Sequence, residues 1–245
     1  MKSISGLADG IARGAGVLVG LSALGYYVGY RIQSHYFSEA GAKWVLDMLS
    51  PTVLVREGQI VILVVGITAF LSLMHLLGND GSADKLKRKD LMLSIIAIVL
   101  LGAAFISGKV WSNNKLDYVL SIVAGLLMAA AAGFTVGELV GRLDESERNW
   151  SGYHLYLLWF FYFSAIAMAP YYIGMNQAKF DLDPKVSTLP FVTVTSDKTS
   201  QWRLMRAVGE NYLLVKLGDD RYSREFRLVP ASSAVIISSD RPRPK

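Results

Sequence analysis

The sequence contains no cysteine, so disulfide bonds, thiolate metal sites and a cysteine nucleophile are excluded. Charged residues are also scarce, since they make up 18% of the 245 residues where about 25% is usual for a soluble domain. The chain has no HExxH or GxSxG motif, no glycine-rich phosphate loop and no cluster of His, Asp and Glu with metal-ligand spacing. We therefore expect no enzyme, no catalytic residue, no cofactor and no metal site.

Long apolar stretches fill most of the first 175 residues, and the mean hydropathy of the whole chain is +0.35. About 20 helical residues cross the ~30 Å hydrocarbon core of a bilayer. The pattern predicts five transmembrane helices in a lipid bilayer, at 14–30, 60–77, 91–108, 118–141 and 154–175. The predicted fold is a membrane all-α helical bundle over residues 1–178, followed by a small all-β soluble domain.

Two proline-containing segments depart from this simple pattern. Residues 44–55, WVLDMLSPTVLV, are too few to cross a bilayer, and Pro51 interrupts any helix through them. They predict either an amphipathic helix on the membrane surface or a re-entrant pore element. In the fifth predicted span, Pro170 predicts a kink or the end of the helix, and a hinge is the functional alternative.

The fourth predicted span carries a ladder of small residues at four-residue spacing. Close backbone approach at such faces drives helix association in lipid, so the ladder predicts a tight helix contact or a pore-lining face. The contact lies either within one chain or between subunits. The ladder consists of Gly125, Ala129, Gly133, Gly137 and Gly141.

Glu138 is the ionisable residue beside this ladder, and Arg142 follows it at i+4. That spacing favours an ion pair on one helix face. The functional alternative is a ring of carboxylates at a pore mouth, which would select cations. The odd number of spans, the absence of an internal repeat and the lack of ionisable groups at mid-membrane disfavour a small-solute transporter.

After residue 185 the pattern changes to short alternating stretches separated by turn residues. They predict five strands, at 191–196, 202–208, 211–217, 224–229 and 234–239, in a small basic β domain over 186–240. So short a domain buries little core, so we expect a small barrel or sandwich that packs on neighbouring copies or on the membrane. Residues 241–245 are expected to be a disordered tail.

The β domain is basic, because residues 176–245 carry 12 Lys and Arg against 8 Asp and Glu. Basic groups interleaved with aromatic rings suit a nucleotide or a single-stranded oligonucleotide. The same residues also suit the solvated face of any basic small domain, and both interpretations stay open. The candidate ligand-binding residues are Trp202, Arg203, Arg206, Tyr212, Lys216, Arg221, Tyr222, Arg224 and Arg227.

Lys and Arg are divided almost evenly between the two sides of the predicted spans, so they do not fix the orientation. The run KLKRK at 85–89 favours the cytoplasm for its own loop, and with five spans this would place the β domain outside. We nevertheless expect a cytoplasmic β domain, because a basic, cysteine-free domain fits a reducing compartment.

Two sequences carry a family resemblance. The tyrosine-rich end of the first span, GYYVGYRIQSHYF, and the tail sequence YLLVKLGDD…FRLVPASSAVIIS are similar to patterns in uncharacterised bacterial multi-span membrane proteins with a small C-terminal β module. In layout the chain also resembles membrane effectors of anti-phage defence systems, such as the channel-type effector of the Hailong system. The resemblance implies a homo-oligomeric ion channel of the bacterial inner membrane, with a tetramer as the expected assembly, regulated by an anionic ligand.

The leading hypothesis is therefore an oligomeric, channel-like membrane protein whose basic C-terminal domain senses a nucleotide or oligonucleotide and regulates the pore. The alternative is a non-conducting membrane sensor or scaffold that recruits a soluble protein partner through the same domain.

Overall fold

The structure is a computed structural model that describes residues 4–78, 83–110, 114–145, 152–195, 197–218 and 223–238. Helices occupy the first part of these ranges and a small antiparallel sheet the last, which confirms the predicted order of a helical region and a C-terminal β region. The helices are α1 (Ile4–Ala40), α2 (Pro51–Leu77), α3 (Ala83–Val110), α4 (Asn114–Glu145), α5 (Gly152–Phe161) and α6 (Ala169–Leu182). The strands are β1 (Phe191–Val194), β2 (Asp197–Val208), β3 (Asn211–Lys216), β4 (Glu225–Pro230) and β5 (Ala234–Ser238).

Within the described ranges, four helical segments are long and apolar enough to cross a membrane, against the five predicted. The first predicted span, 14–30, lies inside α1, which is not among the four. The side chains of residues 4–18 of that helix lie outside those that the structure describes. The four segments are Pro51–Leu77, Ala83–Ser107, Lys115–Arg142 and Gly152–Leu182.

Pro51 is the first residue of α2, where the missing N–H of proline is not needed and its fixed φ suits a helix. The segment 44–55 is therefore not one element, which confirms the predicted helix break at Pro51, and its interfacial or re-entrant placement stays a prediction. Its first half belongs to a short 3₁₀ helix, Lys43–Met48, in which Val45 is buried and Trp44 is exposed. Its second half forms the first turns of α2.

Pro170 does not end the fifth span. Helix α5 continues through a π-helical stretch, Tyr162–Met168, directly into α6, which runs to Leu182. At the end of the π-helical stretch the N–H of Ala169 bonds to the carbonyl of Ser164, five residues earlier. Such a widened turn accommodates a proline that lacks its own N–H and would otherwise clash with the preceding turn.

The chain separates into two compact units. The helical unit contains Met1–Ile32, Pro51–Ile98 and Ala124–Tyr171, and the mixed unit contains Gln33–Ser50, Val99–Val123 and Tyr172–Lys245.

Within the helical unit, the small-residue ladder of α4 packs against α2 of the same chain. A Cβ atom on Gly133 would lie 2.6 Å from the carbonyl oxygen of Val65 and 2.9 Å from the nitrogen of Ala69, so only glycine permits this approach. One turn later Gly137 faces Ser72, whose hydroxyl donates to the Ala69 carbonyl over 2.7 Å and lies 3.4 Å from the Gly133 carbonyl oxygen. The structure thus assigns this stretch of the ladder to a helix contact within one chain.

In the mixed unit, the five predicted strands form one antiparallel sheet with the order β4-β3-β2-β1-β5. The edge strands β4 and β5 are joined by only the three residues Ala231–Ser233, so the sheet is strongly curved, and the expected small barrel stays a prediction. Gly209, with a φ of +58°, makes the tight turn between β2 and β3. The short connection to β5 crosses the end of the sheet, where Ala231 donates its N–H to the Glu210 carbonyl and Thr195 donates to Ser233. Predicted positions 196, 239 and 241–245 lie outside the described residues.

One face of the sheet carries a compact apolar core of Val192, Val194, Trp202, Leu214 and Val229. The described part of the sheet therefore has a hydrophobic centre of its own, although it is small.

Candidate functional site

The contact between α3 and α4 in the helical unit contains two buried carboxylates. Asp90 of α3 is 7% exposed, and Glu138 of α4 is fully buried. A charged side chain inside an apolar helical bundle is costly, and such residues in membrane-spanning helices commonly mark ion pathways. We call Asp90, Glu138 and the polar side chains that contact them the buried charged cluster.

Asp90 lies beside two hydroxyl groups. Thr135 of α4 has its Oγ1 3.1 Å from Asp90 Oδ2, and Ser94 of α3 has its Oγ 3.5 Å from Asp90 Oδ1. Each hydroxyl also lies near a helix carbonyl oxygen, that of Ala131 at 3.0 Å and that of Asp90 at 2.9 Å. Because one hydroxyl hydrogen serves one acceptor at a time, the carboxylate competes with the backbone for both donors.

Glu138 has partners on its own helix and on α5. Tyr153 donates its hydroxyl to Glu138 Oε1 over 2.6 Å, and Arg142 Nε lies 3.6 Å from the same oxygen. The predicted ion pair between Glu138 and Arg142 is thereby confirmed. Arg142 also binds Asp84 of α3, so a chain of polar contacts links α3, α4 and α5. Glu138 Oε2 receives no hydrogen bond from any part of the chain that the structure describes.

Besides the Arg142–Glu138 pair, cations lie beside aromatic rings next to the cluster. The Nζ of Lys87 lies 5.3 Å from the ring centre of Tyr153, and the Arg142 guanidinium lies 5.5 Å from it. Lys89 Nζ lies 5.8 Å from the ring of Phe134. Both lysines belong to the KLKRK run and are exposed, so the cluster has a buried acidic centre and a basic rim.

Helical periodicity explains why these side chains meet. The buried positions of α3 recur at three- and four-residue spacing, as expected for one packed face, and Asp90 occupies one of them. On α4, Thr135, Glu138 and Arg142 follow at i, i+3 and i+7, again on one face. The buried positions of α3 are Ala83, Leu86, Asp90, Ser94, Ala97, Ala104 and Ser107.

Asp90 was missed by hydropathy, which started the third span at residue 91. Helix α3 begins at Ala83, so Asp90 lies two turns inside a segment that is long and apolar enough to cross a membrane. Asp90 directly follows the KLKRK run near the beginning of α3, so the expected lack of ionisable groups at mid-membrane stays a prediction. Asp90 lies four residues from Leu86 and four from Ser94, so the sequence did indicate that these three residues share one helix face.

The cluster presents carboxylate and hydroxyl oxygens, which suit protons and hard monovalent cations. Within the described ranges, no three His, Asp or Glu side chains come together as ligands for a metal ion.

In the sheet, the predicted ligand-binding residues are divided between the two faces. Residues that pair across antiparallel strands share a face. Arg203 pairs with Val215, whereas Arg227 pairs with Leu214, the next residue of β3, so the two arginines point to opposite sides.

Trp202 and Arg203 have structural surroundings. Trp202 is 5% exposed within the sheet core, and Tyr212 packs against the same core. Arg203 is 8% exposed, stacks 4.4 Å from the ring centre of Phe191 and donates to the Ser187 carbonyl over 3.1 Å. Their predicted role in ligand binding remains a prediction.

The remaining basic residues of the predicted site contact protein groups. Lys216 pairs with Glu225 over 3.6 Å, and Arg206 interacts electrostatically with Asp181. Arg224 donates to the backbone carbonyl of Glu39 over 3.4 Å. Arg221 and Tyr222 lie outside the described residues.

These features define a helical protein with four helices of membrane-crossing length, a buried charged cluster and a C-terminal antiparallel sheet. The chain matches no protein-family model, no curated protein and no solved structure.

Proposed function

We propose that this chain is an integral membrane protein of the bacterial inner membrane that conducts cations, and that its C-terminal sheet regulates conduction in response to an anionic ligand. The single observation that carries the proposal is the buried pair of carboxylates, Asp90 and Glu138, in the contact between two membrane-length helices. The resemblance in layout to channel-type anti-phage effectors suggests the biological setting.

The energetic argument rests on the cost of burying charge. On insertion scales, an Asp at the centre of a spanning helix costs about 3 kcal/mol. A structural bundle achieves the same packing more cheaply with apolar side chains, because replacing buried ion pairs by hydrophobic residues is often neutral or stabilising. Asp90, beside the hydroxyls of Thr135 and Ser94, and Glu138 on the facing helix are instead the groups that a cation or proton pathway needs.

The geometry favours a pathway inside the helices of one chain. Glu138 is fully buried behind Tyr153, so a ring of Glu138 side chains around a pore between subunits would require α5 to move away. A homo-oligomer remains part of the proposal, because α2 exposes large apolar side chains such as Leu63, Ile67 and Phe70 that require lipid or another subunit. Native mass spectrometry of the detergent-purified chain counts the subunits and tests the expected tetramer.

The direct experiment is cation flux into liposomes that contain the purified full-length protein. Proton flux is followed with a pH-sensitive dye and potassium flux with an indicator, each with and without an added oligonucleotide or nucleotide. We expect Asp90→Asn and Glu138→Gln to lower the flux at least about tenfold, because each removes a negative charge from the pathway. Asp47→Asn removes the same charge at an exposed position and is the matched control.

No flux of any cation under any ligand condition would refute the proposal, as would wild-type flux in both cluster variants.

The polar contacts that link Asp84, Arg142, Glu138 and Tyr153 also favour a second function, because they would hold a non-conducting bundle closed. A full-length protein that shows no flux, is monomeric and copurifies with a soluble partner would support such a membrane sensor or scaffold.

A further inference from the structure

The mixed unit contains a cavity of about 580 Å³ that the charged cluster does not use. It lies where α4 begins and where α6 ends, and Gly218 and Arg224 of the sheet region also line it. Cavities of about 300–1,000 Å³ are the usual size of small-molecule sites. The charged residues of its lining are Asp117, Lys179, Asp183, Lys185 and Arg224.

Hydrogen bonds and a ring contact hold several of the lining residues in place. Asp183 accepts the backbone N–H of Lys185 over 2.8 Å at its Oδ1, which fixes the chain where it leaves α6. Asp117 accepts the Ser121 hydroxyl over 3.3 Å. Tyr118 and Phe180 form a stacked pair with ring centres 4.6 Å apart, and this pair makes one rigid wall.

Three cations converge on this space from three different segments of the chain. Lys179 belongs to α6, Lys185 to the segment after it, and Arg224 to the sheet region. Both lysines are exposed, and the guanidinium of Arg224 is anchored through its bond to the Glu39 carbonyl. Lysine and arginine together are the usual partners of a phosphate group, lysine as a point charge and arginine through its planar fork.

The two carboxylates narrow the ligand class. An ionised carboxylate only accepts hydrogen bonds, so Asp117 and Asp183 call for donors on the ligand and oppose a molecule that is anionic throughout. We propose that the cavity binds a small phosphorylated molecule that carries hydroxyl groups, with its phosphate beside Lys179, Lys185 and Arg224. The hydroxyl groups then donate to Asp117 and Asp183.

Two sources supply this chemistry. One is a soluble nucleoside monophosphate, and the other is the headgroup of a lipid such as phosphatidylglycerol. The second is relevant because Asp117 and Lys179 lie near the ends of two segments of membrane-crossing length, Lys115–Arg142 and Gly152–Leu182. The inference rests on the proposed function in one respect, that binding of this ligand regulates conduction. Binding itself is measured without any flux assay.

The test uses the purified full-length protein in detergent. Isothermal titration calorimetry with a panel of nucleoside monophosphates, and with the matching nucleosides that lack phosphate, measures the soluble source. Native mass spectrometry before and after delipidation, with phosphatidylglycerol added back, measures the lipid source. We expect a phosphate-bearing compound from one of the two sources to bind, the dephosphorylated compound not to bind, and the affinity to fall as salt is added.

Lys179→Gln and Lys185→Gln are each expected to weaken binding about tenfold or more, because each removes a charge-assisted contact to phosphate. Lys43→Gln removes the same charge from an exposed position that does not line the cavity, and we expect it to bind like the wild type. Since both cavity lysines are exposed, we expect their variants to fold, and an unchanged unfolding temperature verifies this.

Absence of binding by every nucleotide and by the lipid at millimolar concentration would overturn the inference. So would a loss of binding in Lys43→Gln with normal binding in the two cavity variants, because this would locate the ligand outside the cavity. Binding without flux would refute the proposed conduction alone, and flux without binding would refute the cavity alone.

Discussion

Asp90 occupies a position on α3 whose neighbours on the same face are mostly apolar or small. Leu86 and Ala97 are completely buried, and Asp90 lies between them in the same packed row. A carboxylate there meets the polar side chain of Thr135 instead of another apolar residue. At the scale of single residues, the chemistry of this protein therefore depends on a few polar groups placed at core positions.

Tyr153 provides the test of how tightly Glu138 is held. Tyr153→Phe removes the donor 2.6 Å from Glu138 Oε1 and leaves the ring in place. Hydrogen bonds to charged groups contribute about 1.5–3 kcal/mol, so we expect the free energy of unfolding to fall by about 2 kcal/mol. Denaturant unfolding of the detergent-purified protein measures this loss. Tyr156→Phe changes an exposed tyrosine of the same helix and is expected to have no effect. Equal stability of both variants would contradict the prediction.

Gly133 provides a test of the close approach between α4 and α2. Gly133→Ala places a methyl group against the backbone of Val65 and Ala69, and overpacking of this kind costs about 1–3 kcal/mol. Gly66→Ala changes a glycine of α2 that has open space around it, and there alanine is favoured over glycine by up to about 1 kcal/mol. The unfolding temperature should therefore fall for Gly133→Ala and stay equal or rise for Gly66→Ala. The reverse order would show that the two helices do not meet at this stripe.

At the scale of elements, a helix and a strand of this protein each contain a local irregularity. The π-helical stretch Tyr162–Met168 absorbs Pro170, so α5 and α6 continue as one segment of membrane-crossing length. In the sheet, the register shifts between Leu204 and Arg206 of β2. Such a bulge places two residues of one strand opposite one residue of its partner. These local changes decide which side chains of an element face its neighbours.

The turn between β2 and β3 offers a prediction at this scale. Gly209 has a φ of +58°, and a left-handed conformation costs an alanine about 1–2 kcal/mol. No atom lies within 4 Å of a Cβ placed there, so Gly209→Ala tests backbone strain alone. We expect faster hydrogen–deuterium exchange of the amides of β2 and β3 in this variant. Gly209→Asn should exchange more slowly than the alanine variant, because asparagine tolerates this conformation better. Identical exchange in all three proteins would exclude strain at the turn.

At the scale of the whole molecule, the distribution of burial separates the helices by role. Only 17% of the most apolar part of α2 and 22% of that of α3 is buried, against 50% for α4. Helix α4 is therefore the central packing element, and the other two present apolar surface that water would not stabilise. Because the chain contains no cysteine, a single introduced cysteine is its only thiol. Labelling of that thiol then measures on which side of a membrane an element lies.

Single cysteines report on which side of the membrane the sheet lies. Val235→Cys introduces a thiol on β5 at a position that is 64% exposed, and Trp44→Cys introduces one on the segment between α1 and α2. If the four candidate segments between these positions all cross the membrane, the two thiols lie on the same side, and we expect that side to be the cytoplasm. A membrane-impermeant maleimide should therefore label neither variant in intact spheroplasts and both after permeabilisation. Labelling of both in intact spheroplasts would place the sheet outside, and labelling of only one would refute the four crossings.

Much of the local structure follows from patterns that the sequence displays directly. Apolar runs predicted the long helices, alternation predicted all five strands, and the i+4 spacing of Glu138 and Arg142 predicted their ion pair. Element boundaries were less accurate, because hydropathy responds to Arg56 and Glu57 whereas the helix begins at Pro51. These successes share one physical reason: each depends on residues a few positions apart, whose contacts are set by helix or strand geometry.

The sequence by itself therefore determined the kinds of elements, their order and the pairs within one helix face. Only the tertiary structure decided that Tyr153 and Asp84 join the cluster, that Gly133 and Gly137 contact α2 of the same chain, and that the sheet arginines point to opposite faces. These contacts join residues that are distant in the chain, so they depend on how whole elements pack against one another. No local spacing in the chain specifies that packing.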